Sequence, residues 1–443
     1  MGRPPVVRRL DVRINGRLAG EYRFTPAGGV SFAYDAGWLA WEFAFPISRQ
    51  LPLRSGAQSG THVNAVFENL LPDNPDLRRR IAERAEARSD RPHDLLAAIG
   101  RDCIGAMQFL PHGADPGDPF RVDGVPQAEA QIAAAIRDLA EWPLGIRAED
   151  PFRISLAGAQ EKTAFLWKDD TWLKPAGLTP TTHIFKRRMG IVSHGIDMTD
   201  SVENEWLCLK LAAALGLPVN EARIETFEDQ TVLVVTRFDR TPRAKGGILR
   251  LPQEDFLQAL GFESGQKYQE HGGPGMQDGL RLLEGSSERA ADQLLFLKAQ
   301  IVNWILAAID GHAKNYSLFL GPGGFRMTPL YDIVSAAPAM ANGAFRNREL
   351  RLAMPVGRRR HYRLDQIRPR HFEETSDRAR VPSDIRRRAF VDLVETGLAA
   401  FEEVANALPA GFPDRVAGPI IDHARDRMSL LTARCGAGLI EGP

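Results

Sequence analysis

Alternating apolar and polar positions dominate the first part of the chain and predict β-strands there. Residues 9–20 alternate around Asn15-Gly16, the dipeptide that most strongly favours a two-residue hairpin turn. Val30–Tyr34 has the composition of a further strand. Apolar residues then recur at helical spacing in three stretches, which are 60–71, 77–88 and 92–99.

The rest of the chain changes from strand-like to helical patterning. The stretch 111–126 is rich in proline and glycine and predicts a linker, followed by a helix near Gln127–Leu139. Alternation then predicts strands up to residue 240, and helical spacing predicts helices beyond residue 250. The expected strands are Thr163–Trp167, His183–Lys186, Ala222–Thr226 and Thr231–Arg237; the expected helices are Val202–Leu215, Phe256–Leu260, Met276–Leu283, Leu294–Ile309, Arg386–Ala407 and Pro419–Thr432.

Strands followed by a helical block are typical of an α+β fold rather than of a wound parallel sheet. We therefore expect four parts: an N-terminal subdomain over 1–110, a linker with a connecting helix over 111–150, a strand-rich lobe over 151–240 and an all-helical lobe over 241–443.

Composition narrows the class of protein. The 443 residues include 56 Lys and Arg against 56 Asp and Glu, so no global charge drives the chain onto nucleic acid or membrane. The longest uncharged apolar run, Ala299–Ile309, is shorter than the roughly 20 residues of a membrane-spanning helix. The three cysteines lie far apart and predict neither a disulfide framework nor a zinc site. We expect a soluble, reduced, cytoplasmic protein without membrane partners.

Two segments place polar residues directly after apolar runs, and both are candidates for chemistry. Asp310 and Asn315 have the five-residue separation of the base and the metal-binding Asn in the kinase catalytic loop. Asp332 lies 22 residues further on, where a kinase carries its metal-holding Asp. By itself, the first pair is better explained by a helix end followed by a turn. The added Asp332 favours a site that transfers phosphoryl groups with Mg²⁺, because hard cations prefer carboxylate and amide oxygens.

No standard phosphate-binding motif accompanies these residues. The sequence lacks G-x-x-x-x-G-K-[ST], which excludes a P-loop, and it lacks G-x-G-x-x-G, which excludes a standard protein-kinase loop and a Rossmann fingerprint. Residues 152–166 place small residues between two strand-like arms, and this pattern fits either a phosphate-binding loop or a plain hairpin. Spacing alone does not choose between them.

A kinase site also needs a lysine that contacts the phosphates of the nucleotide. Lys186 ends a predicted strand, and Glu205 on the next helix is a candidate partner for it, although a single lysine is more often a surface charge. Glu203 is the poorer partner, because Asp200-x-x-Glu203 is typical of a helix capping box. Residues 236–238 are either a hinge that meets adenine or the exit from a strand.

Several motifs in order along nearly the whole chain resemble those of the HipA family of kinase toxins from bacterial type II toxin–antitoxin modules. In the N-terminal part they are Glu68–Asp73 and Ile99–Ala106. In the remainder they are Ser155–Ala164, Pro180–Ile184, Asn204-Glu205, Arg237–Arg240, Arg250–Asp255, Gly272–Gly275, Asp310–Asn315 and Thr328–Asp332.

The resemblance implies a bilobal, kinase-like serine/threonine protein kinase that uses ATP and Mg²⁺, with a strand-rich N lobe, an extra N-terminal subdomain and an all-helical C lobe. It makes Asp310 the catalytic base and Asn315 and Asp332 the metal ligands. It also makes Ser155 an autophosphorylation site, where added charge would eject the loop and inactivate the enzyme. The implied ATP contacts are Ala157, Gly158, Ala159, Gln160, Glu161, Lys162, Lys186, Thr236, Arg237, Phe238, His312, Ala313, Lys314, Asn315, Tyr331 and Asp332.

The same resemblance implies three partners: a HipB-like helix-turn-helix antitoxin, operator DNA reached through the antitoxin complex, and an aminoacyl-tRNA synthetase as substrate, glutamyl-tRNA synthetase first. Thr236 departs from the acidic residue of the best-known members. The stretch from Gly357 to Arg388 contains 11 arginines and 5 acidic residues. This excess of positive charge is compatible with binding to DNA phosphates and equally with a solvated surface. Arg378 and Arg380 fall where a family member would approach DNA.

Two other functions are compatible with these residues. One is a DNA- and antitoxin-binding co-repressor whose catalysis is vestigial, and the other is a kinase of lipids or small molecules. The presence of Asp310, Asn315, Asp332 and Lys186 together favours the active protein kinase.

Overall fold

The computed structural model describes residues 8–25, 28–147, 152–158, 160–192 and 195–436. Contacts between Cα atoms divide the chain into two compact units, each assembled from three segments. The first unit comprises Met1–Arg187, Glu225–Gly265 and Ser317–Gly324; the second comprises Arg188–Ile224, Gln266–Tyr316 and Phe325–Pro443.

An antiparallel five-stranded sheet opens the first unit. Its first hairpin turns at Asn15 and Gly16, whose φ angles of 48° and 84° both lie in the left-handed region. A two-residue turn of this kind matches the right-handed twist of the flanking strands, and the predicted hairpin is confirmed. The strand order is β4-β3-β2-β1-β5, with β1 Arg8–Ile14, β2 Arg17–Phe24, β3 Val30–Tyr34, β4 Ala57–Ser59 and β5 Met107–Pro111.

Four short helices pack with this sheet around an aromatic core. The buried ring of Phe67 lies 4.2 Å from that of Tyr22 and 5.7 Å from that of Phe109, measured between centroids. Contacts between large rings contribute strongly to a core because each ring removes much apolar surface from water. The helices are α1 Ala36–Leu39, α2 Thr61–Glu68, α3 Pro75–Arg84 and α4 Pro92–Ile99.

A six-stranded antiparallel sheet follows, in the order β12-β13-β9-β7-β8-β6. The helix α5, Glu129–Arg137, buries Ile132 and Ile136 against Phe165 and Phe185 of this sheet. The four predicted strands are confirmed to within one residue at each end. The strands are β6 Gly124–Pro126, β7 Lys162–Lys168, β8 Thr171–Pro175, β9 His183–Arg187, β12 Ala222–Phe227 and β13 Gln230–Thr236; β10 Gly190–Val192 and β11 Ile196–Met198 form a separate ribbon.

A buried cluster of charges lies inside the first unit, and we call Asp102, Arg237, Asp239, Arg240 and Arg250 the Asp102 cluster. The Asp102 carboxylate accepts hydrogen bonds from Arg240 at 2.9 Å and from Arg250 at 3.2 Å, and Arg237 approaches it to 3.4 Å. Burial by itself raises the pKa of the Asp102 carboxyl, but the three guanidinium groups outweigh burial and hold the pKa well below its usual range. The cluster therefore joins residues more than a hundred positions apart in the sequence.

Helices dominate the second unit. Its α9 is buried on nearly every side between Phe296 and Ile305, as expected for a helix whose apolar residues are not confined to one stripe. The helices are α6 Ser201–Ala214, α8 Met276–Leu282, α9 Arg289–Ile305, α10 Ala337–Ala341, α11 Pro369–Arg378, α12 Ser383–Asn406 and α13 Asp414–Gly436, and α7, Phe256–Leu260, belongs to the first unit. Among the helices of the described residues, none is long and apolar enough to cross a membrane.

The region beyond residue 241 is not all-helical, so that part of the expectation is wrong. Six short strands lie wholly among its described residues, and a seventh begins at Arg240. Most have only three or four residues, too few to show an alternating pattern. One of their pairs is antiparallel, with Gln253 opposite Phe319. The strands are β14 Arg240–Pro242, β15 Ile248–Arg250, β16 Gln253–Asp255, β17 Ser317–Gly321, β18 Gly324–Met327, β19 Arg351–Val356 and β20 His361–Arg363.

Candidate active site

The candidate catalytic loop begins where α9 ends, four residues before the predicted end of that helix. Ala307 takes a left-handed φ of 51°, and the N–H of Ala308 donates to the Asn303 carbonyl at 2.7 Å. A left-handed residue cannot continue a right-handed helix, so the apolar run bends here although its composition suits a longer helix. The bend directs the chain into the segment that carries Asp310.

Asp310, Asn315 and Asp332 line one pocket in the second unit. The Asn315 amide nitrogen donates to the backbone carbonyls of Asp310 at 3.2 Å and Asp332 at 3.3 Å. The side chain thereby links the two acidic residues, and its Oδ1 is left as the oxygen that can face a cation. The structure thus brings together three residues that the sequence singled out by spacing.

Asp332 has a left-handed φ of 60°, which is uncommon for a residue other than glycine. The backbone on both sides of it is held by the chain around α6. Leu330 exchanges backbone hydrogen bonds with Pro218 and Asn220, and Ser335 exchanges two 2.8 Å bonds with the Asn204 amide. Asn204, which the sequence offered only as part of a motif, therefore anchors the segment that carries the second acid.

Position 311 of the loop has room for a side chain only if Asn303 moves. A Cβ atom there would lie 2.2 Å from the Asn303 amide nitrogen and 3.2 Å from the Tyr316 hydroxyl. That hydroxyl accepts hydrogen bonds from Gln300 at 2.8 Å and Asn303 at 2.7 Å. Burial strongly raises the pKa of Tyr316, with the two amides opposing it, so the phenol stays protonated.

The other implied nucleotide contacts of the second unit lie in the same loop. His312, Ala313 and Lys314 are buried, and the Tyr331 hydroxyl donates to the Lys314 carbonyl at 2.9 Å. The N–H of Asn315 donates to the His312 carbonyl at 2.9 Å, which closes a 3₁₀ turn. The loop is thus internally braced, and contacts of these residues with a nucleotide stay predictions.

One functional candidate was missed from the sequence. The Tyr268 hydroxyl donates to Asp310 Oδ1 at 2.7 Å, although the two residues are 42 positions apart. No spacing rule connects them, and the only signal nearby was the glycine-rich motif Gly272–Gly275.

Ser155 is fully buried in the first unit, with 0% of its surface exposed. Its hydroxyl donates to the Leu70 carbonyl at 2.7 Å, and its N–H donates to the Asp102 carbonyl at 3.0 Å. Ser155 also forms an isolated bridge with Cys103, as Gly158 does with Pro72. The segment 155–158 is therefore docked on the N-terminal part of the unit, and Ala159 lies outside the described residues.

Two neighbouring strands after this segment each carry a lysine, and the two lysines face the same way. Lys162 of β7 is the cross-strand partner of Lys186 of β9, and such partners project from the same face of a sheet. The Lys162 ammonium also donates to the Ala157 carbonyl. Arg187 binds Glu161 at 3.2 Å and accepts a hydrogen bond from Gln160 at 2.9 Å through its carbonyl. Residues 160 and 161 are thus held by the protein itself.

The Arg237 side chain belongs to the Asp102 cluster. Its guanidinium is buried in the Asp102 cluster, and its backbone N–H donates to the Thr182 carbonyl at 2.8 Å. Both groups have partners within the protein, and a contact of Arg237 with ATP stays a prediction. Thr236 and Phe238 are half-buried, with the Phe238 ring 5.6 Å from that of Phe319, and their role as ATP contacts stays a prediction.

The capping box expected at Asp200 and Glu203 is not formed, so that prediction is wrong. Each carboxylate pairs with an arginine instead: Asp200 binds Arg415, and Glu203 binds Arg188. Glu205 is buried on the same helix, and its pairing with Lys186 stays a prediction.

Arg378 and Arg380 are exposed at the C-terminal end of α11. Arg380 has a left-handed φ of 59°, which turns the chain directly after the helix. Other arginines of the basic stretch are partly neutralised, since Arg386 lies 3.2 Å from Asp377 and Arg388 lies 3.6 Å from Asp392. A DNA contact by the two exposed arginines stays a prediction.

The donor set at Asn315 and Asp332 fits Mg²⁺. A kinase magnesium site needs only one or two carboxylates and an amide oxygen, because nucleotide phosphates and water complete the shell. Within the described ranges, no group of three or more His, Cys, Asp or Glu side chains is placed to hold a metal. A smaller oxygen set completed by phosphates is consistent with that finding.

Comparisons with known proteins point to one family. Residues 10–110 match the HipA N-terminal domain, and residues 154–405 match the HipA-like C-terminal domain. The chain is 32% identical over 403 residues to the putative kinase Y4mE of Sinorhizobium fredii, covering 90% of this chain and 92% of that protein. It is 30% identical over 341 residues to the serine/threonine-protein kinase toxin HipA of Shewanella oneidensis, covering 74% and 75%.

Comparison with a solved structure also indicates the HipA fold. The Shewanella oneidensis HipA, in a complex with HipB and operator DNA, matches with a TM-score of 0.76 at 25% identity over 97% of both chains. The fold is therefore an α+β fold of the bilobal, kinase-like class. The chain belongs to the HipA family of kinase toxins, and both domains of that family are present.

Proposed function

We propose that this protein is a serine/threonine protein kinase toxin that transfers the γ-phosphoryl group of ATP to a serine of a protein substrate. The observation that carries the proposal is the convergence of Asp310, Asn315 and Asp332 on one pocket. The substrate class we propose is an aminoacyl-tRNA synthetase, glutamyl-tRNA synthetase first, because the family implies it. Its phosphorylation would arrest translation and growth.

In the proposed reaction, the Asp310 carboxylate accepts the proton of the substrate serine hydroxyl. The serine oxygen attacks the γ-phosphorus, the bond from phosphorus to the bridging oxygen breaks, and ADP leaves. Asn315 and Asp332 would hold Mg²⁺, which offsets the negative charge of the phosphates. The two ammonium groups of Lys162 and Lys186, which are cross-strand partners, favour an anionic ligand such as a nucleotide phosphate.

Ser155 is the proposed site of self-inactivation. Its hydroxyl is buried and bonded to the Leu70 carbonyl, so transfer to it requires the segment 155–158 to leave its docked position. A phosphate of nearly two negative charges does not fit a site with no exposed surface, and it would keep the segment undocked.

The proposed partners are a HipB-like antitoxin and, through it, operator DNA. The support is the Shewanella relative, whose structure was solved with HipB and its operator. Arg378 and Arg380 are exposed and suit contacts with DNA phosphates, which are independent of base sequence.

The first test compares the wild-type protein with Asp310→Asn, which keeps the size of the side chain and removes the base. Asp414→Asn, at the start of α13, is the matched control. Each protein receives Mg²⁺, γ-labelled ATP and a bacterial lysate, and labelled proteins and phosphopeptides are then mapped. We expect a labelled synthetase and phosphate on Ser155 with wild type and control, and a loss of at least about a thousandfold in Asp310→Asn.

Three results would contradict parts of the proposal. Label on Ser155 without a labelled protein would reject the synthetase substrate. Label only in a low-molecular-weight product would indicate a small-molecule kinase. No transfer by the wild type, together with intact operator binding in the antitoxin complex, would replace the kinase with a co-repressor.

A further inference from the structure

The glycine-rich motif Gly272–Gly275 has no role in the reaction described above, yet it lies next to a residue that contacts the proposed base. Tyr268 precedes the 3₁₀ turn Gln269–His271, and its hydroxyl donates to Asp310 Oδ1 at 2.7 Å. That distance is a short, well-formed hydrogen bond to a carboxylate.

We infer that Tyr268 is a positioning residue for the catalytic base. Its hydroxyl occupies Oδ1 of Asp310 and turns Oδ2 toward the hydroxyl of the acceptor serine. This inference rests on the proposed function, because it assigns Tyr268 a task only if Asp310 accepts a proton from the substrate.

The backbone of Tyr268 is fixed by the motif that follows it. Its carbonyl accepts hydrogen bonds from the N–H groups of His271 and Gly273, both at 3.1 Å. A Cβ atom on Gly273 would lie 1.7 Å from the Gln266 carbonyl oxygen, and one on Gly275 would lie 1.9 Å from Gln269 Oε1. Position 273 therefore requires glycine, because the added atom would meet backbone, whereas at position 275 it would displace the Gln269 side chain. The closed turn determines the position of the Tyr268 backbone.

The ring of Tyr268 is fixed as well. It meets the buried His312 ring edge-on at 5.1 Å and the His271 ring at 5.8 Å, and the Lys267 ammonium lies 5.3 Å from its centroid. Aromatic and cation–π contacts of this kind restrict the direction of the phenol. His312 belongs to the same loop as Asp310, so ring and base are positioned by shared contacts.

A fixed carboxylate matters because the terminal torsion of an aspartate is broad and sets the direction of both oxygens. Proton abstraction requires the base within hydrogen-bond reach of the acceptor hydroxyl, and an error of about 1 Å can lower a rate about a hundredfold. Removing the phenol hydroxyl should therefore slow the transfer step while binding of ATP is unchanged.

The test uses the full-length protein with Mg²⁺ and γ-labelled ATP, and it follows incorporation of label into Ser155 in the absence of other substrates. The variants are Tyr268→Phe, which removes one oxygen, and Tyr362→Phe as the matched control. Tyr362 lies on β20, and the Arg351 guanidinium of β19 lies over its ring. Asp310→Asn serves as the reference variant that lacks the catalytic base. The initial rate is measured against ATP concentration, and ATP binding and thermal unfolding are measured separately.

We expect Tyr268→Phe to lower the maximal rate by about 10- to 100-fold, with the half-saturating ATP concentration changed by less than about twofold and unfolding unchanged. Tyr362→Phe should match the wild type. A wild-type rate in Tyr268→Phe overturns the inference while leaving the kinase intact. Weakened ATP binding or lower stability in Tyr268→Phe also overturns it, because the hydroxyl would then be structural. If the wild type transfers label neither to Ser155 here nor to a protein in the lysate assay, the proposed function fails and the inference fails with it.

Discussion

Gly311 shows how tightly a single residue type is dictated at the candidate site. The loop passes so close to Asn303 and Tyr316 that a methyl group at position 311 has no room unless Asn303 moves. Asn303 is itself one of the two amides that hold the Tyr316 hydroxyl. A substitution at this position therefore disturbs the support of the loop and the approach of Asp310 together.

We predict that Gly311→Ala lowers kinase activity by at least about a hundredfold and destabilises the protein by about 1–3 kcal/mol, because the clash forces the loop or the amide to move. Gly418→Ala in α13 is the control, since a Cβ there meets nothing within 4 Å. Activity assays and thermal unfolding of both variants check the prediction, and wild-type activity in Gly311→Ala would contradict it.

At the scale of elements, the sequence predicted the presence of helices and strands better than the positions of their ends. The Asn15-Gly16 hairpin and four strands of the six-stranded sheet were predictable because alternation and turn residues are local signals. The other two were not predicted: β8 is short, and β6 lies at the end of the stretch 111–126 that was expected to be a linker. The end of α9 was not, since the bend at Ala307 depends on contacts with the loop rather than on composition. Asp310, Asn315 and Asp332 were found from spacing, whereas Tyr268 and Asn204 act across distances that no local pattern reports.

The segment 155–158 gives a prediction at this scale. Ser155→Asp places a carboxylate where no surface is exposed, so we expect the segment to undock and ATP binding to weaken by at least about tenfold. Ser155→Ala loses one hydrogen bond to the Leu70 carbonyl and should stay docked. Limited proteolysis near residue 155 and ATP titration distinguish the two, and equal ATP affinity in both variants would count against the prediction.

At the scale of the whole molecule, the Asp102 cluster couples the two family domains within the first unit. Asp102 lies in the part that matches the HipA N-terminal domain, and its three arginine partners lie in the part that matches the HipA-like C-terminal domain. Three guanidinium groups and two carboxylates share one buried site. Each carboxylate therefore supplies negative charge that the buried guanidinium groups need. Burial, opposed in part by Asp102, lowers the pKa of Arg250 to about 10, which leaves it charged at neutral pH.

We predict that Asp102→Asn lowers the free energy of unfolding by about 3–5 kcal/mol, because it leaves buried guanidinium groups without their shared counter-charge. Asp123→Asn is the matched control, since its pair with Arg121 is exposed and should contribute less than about 1 kcal/mol. Chemical denaturation at neutral pH measures both, and equal stability of the two variants would show that the cluster does not hold the unit together.

The large sequence separations within the Asp102 cluster also affect when the first unit can fold during translation. Asp102 emerges during synthesis 135 residues before Arg237 and 148 residues before Arg250. At elongation speeds of about 5–20 residues per second, the carboxylate waits roughly 7–30 seconds for the arginines that allow its burial. An unfinished toxin on the ribosome therefore cannot complete the unit that docks Ser155, and the order of translation itself delays the appearance of a competent kinase.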